Sequence, residues 1–197
     1  MLITDITIPS HIIPINDIRS QLSIKPNPPG YMNSRRQRRK PIIGVTWHYN
    51  GPAMVHNDVN KERYHVINVD VPNHQQRLGA DSLMYHFVVY SDGTIDQTRD
   101  LNLIAWHCRN YDGNEASLAV HIPIGGTQDI TELQKQSLIK LTDVLGKLYT
   151  FNRFNVKGHR EWSDTQCPGE NLMRHLREYR DNINIPMLMV SGKADSI

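Results

Sequence analysis

The sequence predicts an α/β fold with a central mixed β-sheet flanked by helices. Three runs, 42–48 (IIGVTWH), 83–90 (LMYHFVVY) and 117–124 (SLAVHIPI), are rich in β-branched and apolar residues and read as strands. Helical patterns are interleaved with them, the clearest at 131–149 and 169–181. Strands alternating with helices in this way point to a sheet with helices on its faces.

Taken in order, residues 1–40 read as an N-terminal extension or linker. Pro26, Pro28, Pro29 and Gly30 interrupt regular structure there, and a basic run, RRQRRK at 35–40, follows. A boundary near Pro41 opens the main domain, 41–182, and residues 183–197 form a C-terminal tail. The first strand, 42–48, ends on His48. Residues 50–82 are polar and irregular, with a helical period only from about Pro72 to Ala80. The strand 83–90 is followed by Asp92-Gly93, a tight-turn pair that leads into Thr94–Gln97. After 117–124, closed by Gly125-Gly126, Thr131 and Gln134 suit a capping box for a helix whose Leu138, Leu141, Leu145 and Leu148 share a face. Asn155–Gly158 reads as a short strand. Leu172, Leu176 and Tyr179 are spaced to pack from a last helix.

The 197 residues are 39% hydrophobic and 21% charged, the balance of a folded globular chain. No apolar run approaches the ~18 residues of a membrane span. Residues 1–19 lack a basic start before an apolar stretch, so no secretory signal is read. The net charge of +2 is uneven: five of 22 basic residues lie in 35–40, and the others number 17 against 20 acidic. That distribution argues against a nucleic-acid binder, which carries its basic charge over a folded face. Arg35, Arg36, Arg38, Arg39 and Lys40 are either a solvated linker or a weak electrostatic contact to anionic polymers or lipid headgroups. Two cysteines, Cys108 and Cys167, are too few for a disulfide scaffold.

The most informative stretch is 156–169, VKGHREWSDTQCPG. His159 and Cys167 are separated by polar loop residues, and a loop can fold both onto one ion. A third ligand must come from elsewhere, and His48, at the end of the first strand, is placed for it. Two imidazoles and a thiolate suit Zn²⁺, whose catalytic sites usually combine three protein ligands with one open position.

From Ile43 to about Leu176 the chain resembles the zinc amidases that share a fold with peptidoglycan recognition proteins and include short phage lysozymes of amidase type. Six pieces carry the resemblance in order: IIGVTWH, YHFVVYSDGTI, AWHCRN, NEASLAVHIPIGG, the helix 131–149, and GHREWSDTQCPG. The resemblance implies a peptidoglycan-recognition-protein-like amidase fold. It also implies hydrolysis of the amide between N-acetylmuramic acid and L-alanine, with Zn²⁺ held by His48, His159 and Cys167.

Tyr85 matches the family's catalytic tyrosine; without the resemblance it reads as a core aromatic, sharing a strand face with Leu83 and Phe87. Thr165 stands where some phage relatives carry lysine and many recognition-protein relatives threonine, and it can donate to a carbonyl oxygen. Several bacterial relatives have a general-base glutamate at the position of His121, so this histidine is either a base or a packed residue. His107, in AWHCRN, is expected to line the groove and contact substrate, or else to be a loop histidine. Cys108 reads as a small buried thiol, and His175 as a packing residue of the last helix.

Three other functions compete with the amidase. Members of the family that bind peptidoglycan without cutting it typically lack the cysteine ligand, and Cys167 is present here. A cysteine peptidase using Cys167 or Cys108 with a histidine, and a nucleic-acid binder, are the others. With no signal read, the expected setting is synthesis in the cytoplasm. The protein then reaches the wall through a membrane lesion of the holin type or as part of a virion; a recycling amidase would look similar.

Overall fold

The structure, a computed structural model, describes residues 8, 11–25 and 37–181. Six strands form one mixed sheet: β1 (Asn16–Asp17), β2 (Gly44–Gly51), β3 (Phe87–Val89), β4 (Ile95–Gln97), β5 (Ser117–Gly125) and β6 (Val156–Gly158). Their order is β1-β4-β3-β5-β2-β6. β2 runs parallel to β5 and β6, β3 is parallel to β5, and β3 and β4 form the antiparallel hairpin. The mixed sheet flanked by helices is as the sequence predicts. Gly93, at φ +85°, makes the hairpin turn, and Asp92 Oδ1 accepts from the Thr94 N–H at 2.8 Å.

One sheet face carries Val45, Trp47, Phe87, Val120 and Ile122 into the larger core. The helices α4 (Glu132–Tyr149) and α5 (Glu170–Asp181) cover it with Leu138, Leu141, Leu145, Leu172, Leu176 and Tyr179. Thr131 caps α4 by accepting from the Gln134 N–H at 3.0 Å. The expected capping box is only half made, because the buried Gln134 side chain donates to the Val89 carbonyl instead. Leu148 is 38% exposed, one turn past the buried stripe.

The other face is covered by a helical segment where the sequence shows little period. It comprises α1 (Val59–His65), a wide π turn (Val66–Asp70) and α2 (Val71–Arg77). Asp58 caps it by accepting from the Lys61 N–H at 3.2 Å. Pro72 explains the π turn. It has no N–H for the Asn68 carbonyl, and its ring would clash with that carbonyl in a regular helix. The chain widens by one residue, and the Val71 N–H bonds to the Val66 carbonyl. The widened turn buries both Asp70 and Val71, and with them buried polar groups mask the apolar period.

The N-terminal segment is less separate than the boundary at Pro41 implies. Ile13, Ile18 and Leu22 are buried, and β1 pairs with β4. Arg38 is the larger departure from the expected linker. Its guanidinium donates to the carbonyls of Leu101 (2.8 Å), Asn114 (3.0 Å), Glu115 (2.6 Å) and Ser117 (3.0 Å). Burial lowers its pKa to about 10, so it stays charged at neutral pH, but it is not free for a wall polymer. Lys40 pairs with Asp112 at 2.5 Å, while Arg39 is exposed. Arg35, Arg36 and the tail 183–197 lie outside the described residues. Among those described, no helix is long and apolar enough to cross a membrane.

Two buried histidines brace the start of β3. His74 Nδ1 accepts from the Met84 N–H at 3.1 Å. His86 Nδ1 accepts from the Ala119 N–H at 2.9 Å, which places its proton on Nε2, 3.0 Å from the Leu103 carbonyl. The chain bends at His86, so strand β3 begins only at Phe87. Phe87 therefore enters the larger core, while Tyr85 packs with Leu83 and Val88 on the opposite face.

Replacing Arg38 with glutamine should cost ~3 kcal/mol or more in urea unfolding, since several buried carbonyls lose a donor. Arg39→Gln should change stability by less than ~0.5 kcal/mol. Burial lowers the His74 pKa to about 4 and holds His86 well below the usual histidine value. Their contribution is present above the unfolded value of ~6.5 and is lost as pH falls towards 4. The urea midpoint should therefore drop across that window. His74→Asn, whose Oδ1 can replace Nδ1 as acceptor, should soften the drop; an unchanged slope would remove His74 from the account.

Candidate metal centre

β2 places His48 on the sheet face opposite Trp47, with its Cα in register with His121 of β5. His159 begins a short 3-10 turn, His159–Glu161, directly after β6. Gly158 lets this turn close on the following loop, because a Cβ there would lie 2.4 Å from Met173 Sδ and 2.9 Å from Pro168 Cδ. Cys167 follows on that loop. One donor atom each of His48, His159 and Cys167 lies within 4.8 Å of the others, the arrangement of a three-ligand metal site.

The nitrogens available for a metal follow from the hydrogen bonds around the rings. The Ser117 hydroxyl donates to the Gly113 carbonyl at 2.7 Å, so its oxygen accepts from His107 Nε2 at 3.4 Å. His107 Nδ1 then accepts from His48 Nε2 at 2.9 Å. This directional chain leaves the lone pair of His48 on Nδ1, which faces Cys167 Sγ at 3.6 Å. His159 bonds to the Cys108 carbonyl, and its Nε2 is buried without a partner. The Cys167 sulfur receives the Tyr49 backbone N–H. Two neutral imidazoles with free lone pairs and a thiol beside a backbone donor fit a zinc ion.

Electrostatics agree with that donor set. Burial, then the charges of His107 and His159, hold His48 well below the usual histidine pKa, and burial lowers His159 to about 4. Both are therefore neutral at pH 7, as ligands must be. Burial pushes the Cys167 and Cys108 thiols up to about 12, far from the ready thiolate of a cysteine peptidase. A bound dication would reverse this at Cys167. Cys108 instead donates to Asn114 Oδ1 at 3.2 Å, a packed thiol as expected.

The other candidates surround the centre. Tyr85 lies 5.1 Å from His48 between ring centroids and stacks on His121 at 4.5 Å with an interplanar angle of 4°. Thr165 Oγ1 accepts from the Cys167 N–H at 3.3 Å, and its hydroxyl proton remains to be donated. Thr165 lines a cleft of about 720 Å³ with Tyr49, Thr127, Arg160, Gly169 and Asn171. His107 is not on the groove surface. It is 3% exposed and lies behind His48, because its ring is the only link between His48 and Ser117 in the chain above. His121 is 1% exposed, and neither of its nitrogens has a partner. His175 packs on α5 and bonds to Asp129 Oδ1 at 2.8 Å. Asp70, which lies 3.8 Å from His121, is a site residue that the sequence pattern did not single out.

The fold and the cluster define an α/β protein in which two histidines and a cysteine are gathered where they could hold a metal ion. The N-acetylmuramoyl-L-alanine amidase (Amidase_2) profile matches residues 38–170, and the chain belongs to that family. Peptidoglycan-recognition protein SC2 of Drosophila melanogaster is 24% identical over 110 residues, covering 54% of this chain and 58% of that protein. The endolysin of Escherichia phage T7 is 29% identical over 97 residues, covering 46% of this chain and 61% of that protein. The chain thus covers less than two-thirds of the length of either relative. The structure of N-acetylmuramoyl-L-alanine amidase LysC from Clostridium intestinale URNW superposes with a TM-score of 0.59 at 22% identity, over 83% of this chain and 95% of that one.

His48→Ala, His159→Ala and Cys167→Ala should each abolish zinc binding measured by plasma emission on the dialysed protein, whereas Cys108→Ser should retain it. His107→Ala, which releases Nε2 of His48, should weaken zinc affinity by about 10- to 100-fold in a chelator competition. Undiminished affinity would show that the hydrogen-bond chain does not orient the ligand.

Proposed function

We propose that this chain is a zinc-dependent N-acetylmuramoyl-L-alanine amidase acting in phage-mediated lysis of the bacterial wall. The observation that carries the reading is the convergence of His48, His159 and Cys167 in an amidase-family fold, beside a cleft lined by their chain neighbours Tyr49, Arg160 and Gln166. The similarity to the phage T7 endolysin supports the lytic setting, with the protein either released through a membrane lesion or carried on a virion. The substrate is the amide between the lactyl group of N-acetylmuramic acid and L-alanine.

Zinc bound by the three residues would supply Lewis acidity towards the lactyl carbonyl and acidify a coordinated water. The chain's own groups do the rest. Burial, then the charges of Cys167 and Asp70, raise the Tyr85 pKa well above its usual value, so the phenol keeps its proton and can donate to the carbonyl oxygen as charge develops there. The Thr165 hydroxyl makes a second, uncharged donor from the cleft side. His121, neutral and without a hydrogen-bond partner, accepts a proton from the attacking water and returns one to the departing L-alanine nitrogen. Water adds to the carbonyl carbon, the C–N bond breaks, and a free carboxylate and a free amine remain.

Digestion of purified peptidoglycan, followed by mass spectrometry, should release stem peptides with free L-alanine amino termini and leave glycan strands uncut. New reducing ends would indicate a glycosidase, and new termini within the peptide an endopeptidase. Binding to the polymer with no release by the zinc-loaded protein would indicate a recognition module.

A further inference from the structure

Three buried polar atoms without hydrogen-bond partners meet on one side of the centre: His121 Nδ1, His121 Nε2 and Asp70 Oδ2. His121 Nε2 lies 3.8 Å from Asp70 Oδ2, and both side chains are more than nine-tenths buried. The other carboxylate oxygen, Asp70 Oδ1, is 3.4 Å from His65 Nε2, which in turn lies 3.4 Å from Asn50 Nδ2. The His65 side chain is 31% exposed, so the row runs from Tyr85 through His121 and Asp70 to solvent.

The backbone feature that delivers Asp70 is the π turn, of which it is the last residue. In a regular helix successive positions turn by about 100°; the wider turn lessens that angle, and Asp70 and Val71 are both buried beneath it. Wide turns of this kind recur at functional sites. Here the turn brings a carboxylate to an imidazole that has nothing else to bond.

We propose that Asp70 is a positioning residue for His121: it accepts the Nε2 proton, holds the ring flat against Tyr85, and leaves the Nδ1 lone pair free for the proton of the attacking water. This rests on the amidase reading of the site. The ordering of an imidazole by a buried carboxylate is a general device for a histidine base, since the carboxylate selects one tautomer and offsets the imidazolium charge. Burial raises Asp70 to about 7, and burial followed by the charges of His74 and His65 lowers His121 to about 3, so neither group ionises readily by itself. Ionised as a pair they compensate each other. The titratable groups facing the pair are His65 on α1, His74 on α2, Tyr85 before β3, and His48 on β2.

The test uses the full-length, zinc-loaded protein carrying ¹⁵N-labelled histidine. His121 should show its proton on Nε2, with the signal assigned by its loss in His121→Gln. In Asp70→Asn the tautomer should shift or become mixed, while zinc content stays at the wild-type level. With soluble muropeptide, Asp70→Asn should lower kcat by on the order of 10- to 100-fold with KM within about 2-fold. Combined with His121→Ala, it should add no further loss, as expected of two groups acting as one unit. Unchanged His121 nitrogen signals, or loss of zinc in Asp70→Asn, would overturn the proposal. A tautomer shift alongside near wild-type kcat in His121→Ala would uphold the positioning role and remove the base role from the amidase reading. Asp70→Ser, which removes the carboxylate and leaves room for water, serves if the asparagine variant does not fold.

Discussion

The parallel pairing of β2 with β5 is the constraint from which the site is built. With side chains alternating along each strand, the register of His48 with His121 and of Trp47 with Val120 separates two chemistries. Val45, Trp47, Val120 and Ile122 go to the core under α4 and α5. Thr46, His48, Ser117 and His121 go to the other face, which carries the smaller apolar cluster of Val66, Val71, Leu83 and Val88. A slip of one residue would exchange the two sets, burying the histidines among leucines and turning tryptophan towards the cleft. The strong hydrophobic demand of the core face thus holds His48 and His121 in place on the face opposite to it.

On the polar face, order comes from hydrogen bonds with a single direction. The Gly113 carbonyl oxygen can only accept, so Ser117 must donate to it, and the polarity passes through His107 to His48. The same logic acts at His86, where a backbone N–H on Nδ1 dictates the tautomer. Each ring is buried and neutral, and each would be costly to protonate. A centre assembled from such groups favours a cation over protons, because it offers lone pairs that are already desolvated and already aimed.

Arg38 shows the same economy at the edge of the domain. One guanidinium collects carbonyls from the segment after β4 and from the end of the helix α3 (Tyr111–Ala116). That helix and the loop before it carry His107, Cys108 and Asn114. Asn114 Oδ1 accepts from the backbone N–H groups of both His107 and Cys108, at 2.9 and 3.0 Å. The arginine therefore acts on the centre at a distance, by fixing the loop that presents His107 to His48.

The sequence alone determined the strands that carry strong periodicity, the long helix near 132–149 and the turn at Asp92-Gly93, and it marked His48, His159 and Cys167, which the fold gathers within 4.8 Å of one another. It did not distinguish Arg38 from its neighbours in a basic run, because a buried arginine and a solvated one are spelled alike. It left the segment 59–71 without a period, since Glu62 and Asp70 occupy buried helical positions and erase the apolar stripe. It placed His107 on the groove and overlooked Asp70, because their roles depend on partners 59 residues away at His48 and across the sheet at His121. Local propensity is written in neighbouring residues. Which polar atom meets which inside a desolvated site is decided only when strands from distant parts of the chain pair in register, and that is where the tertiary structure alone had the answer.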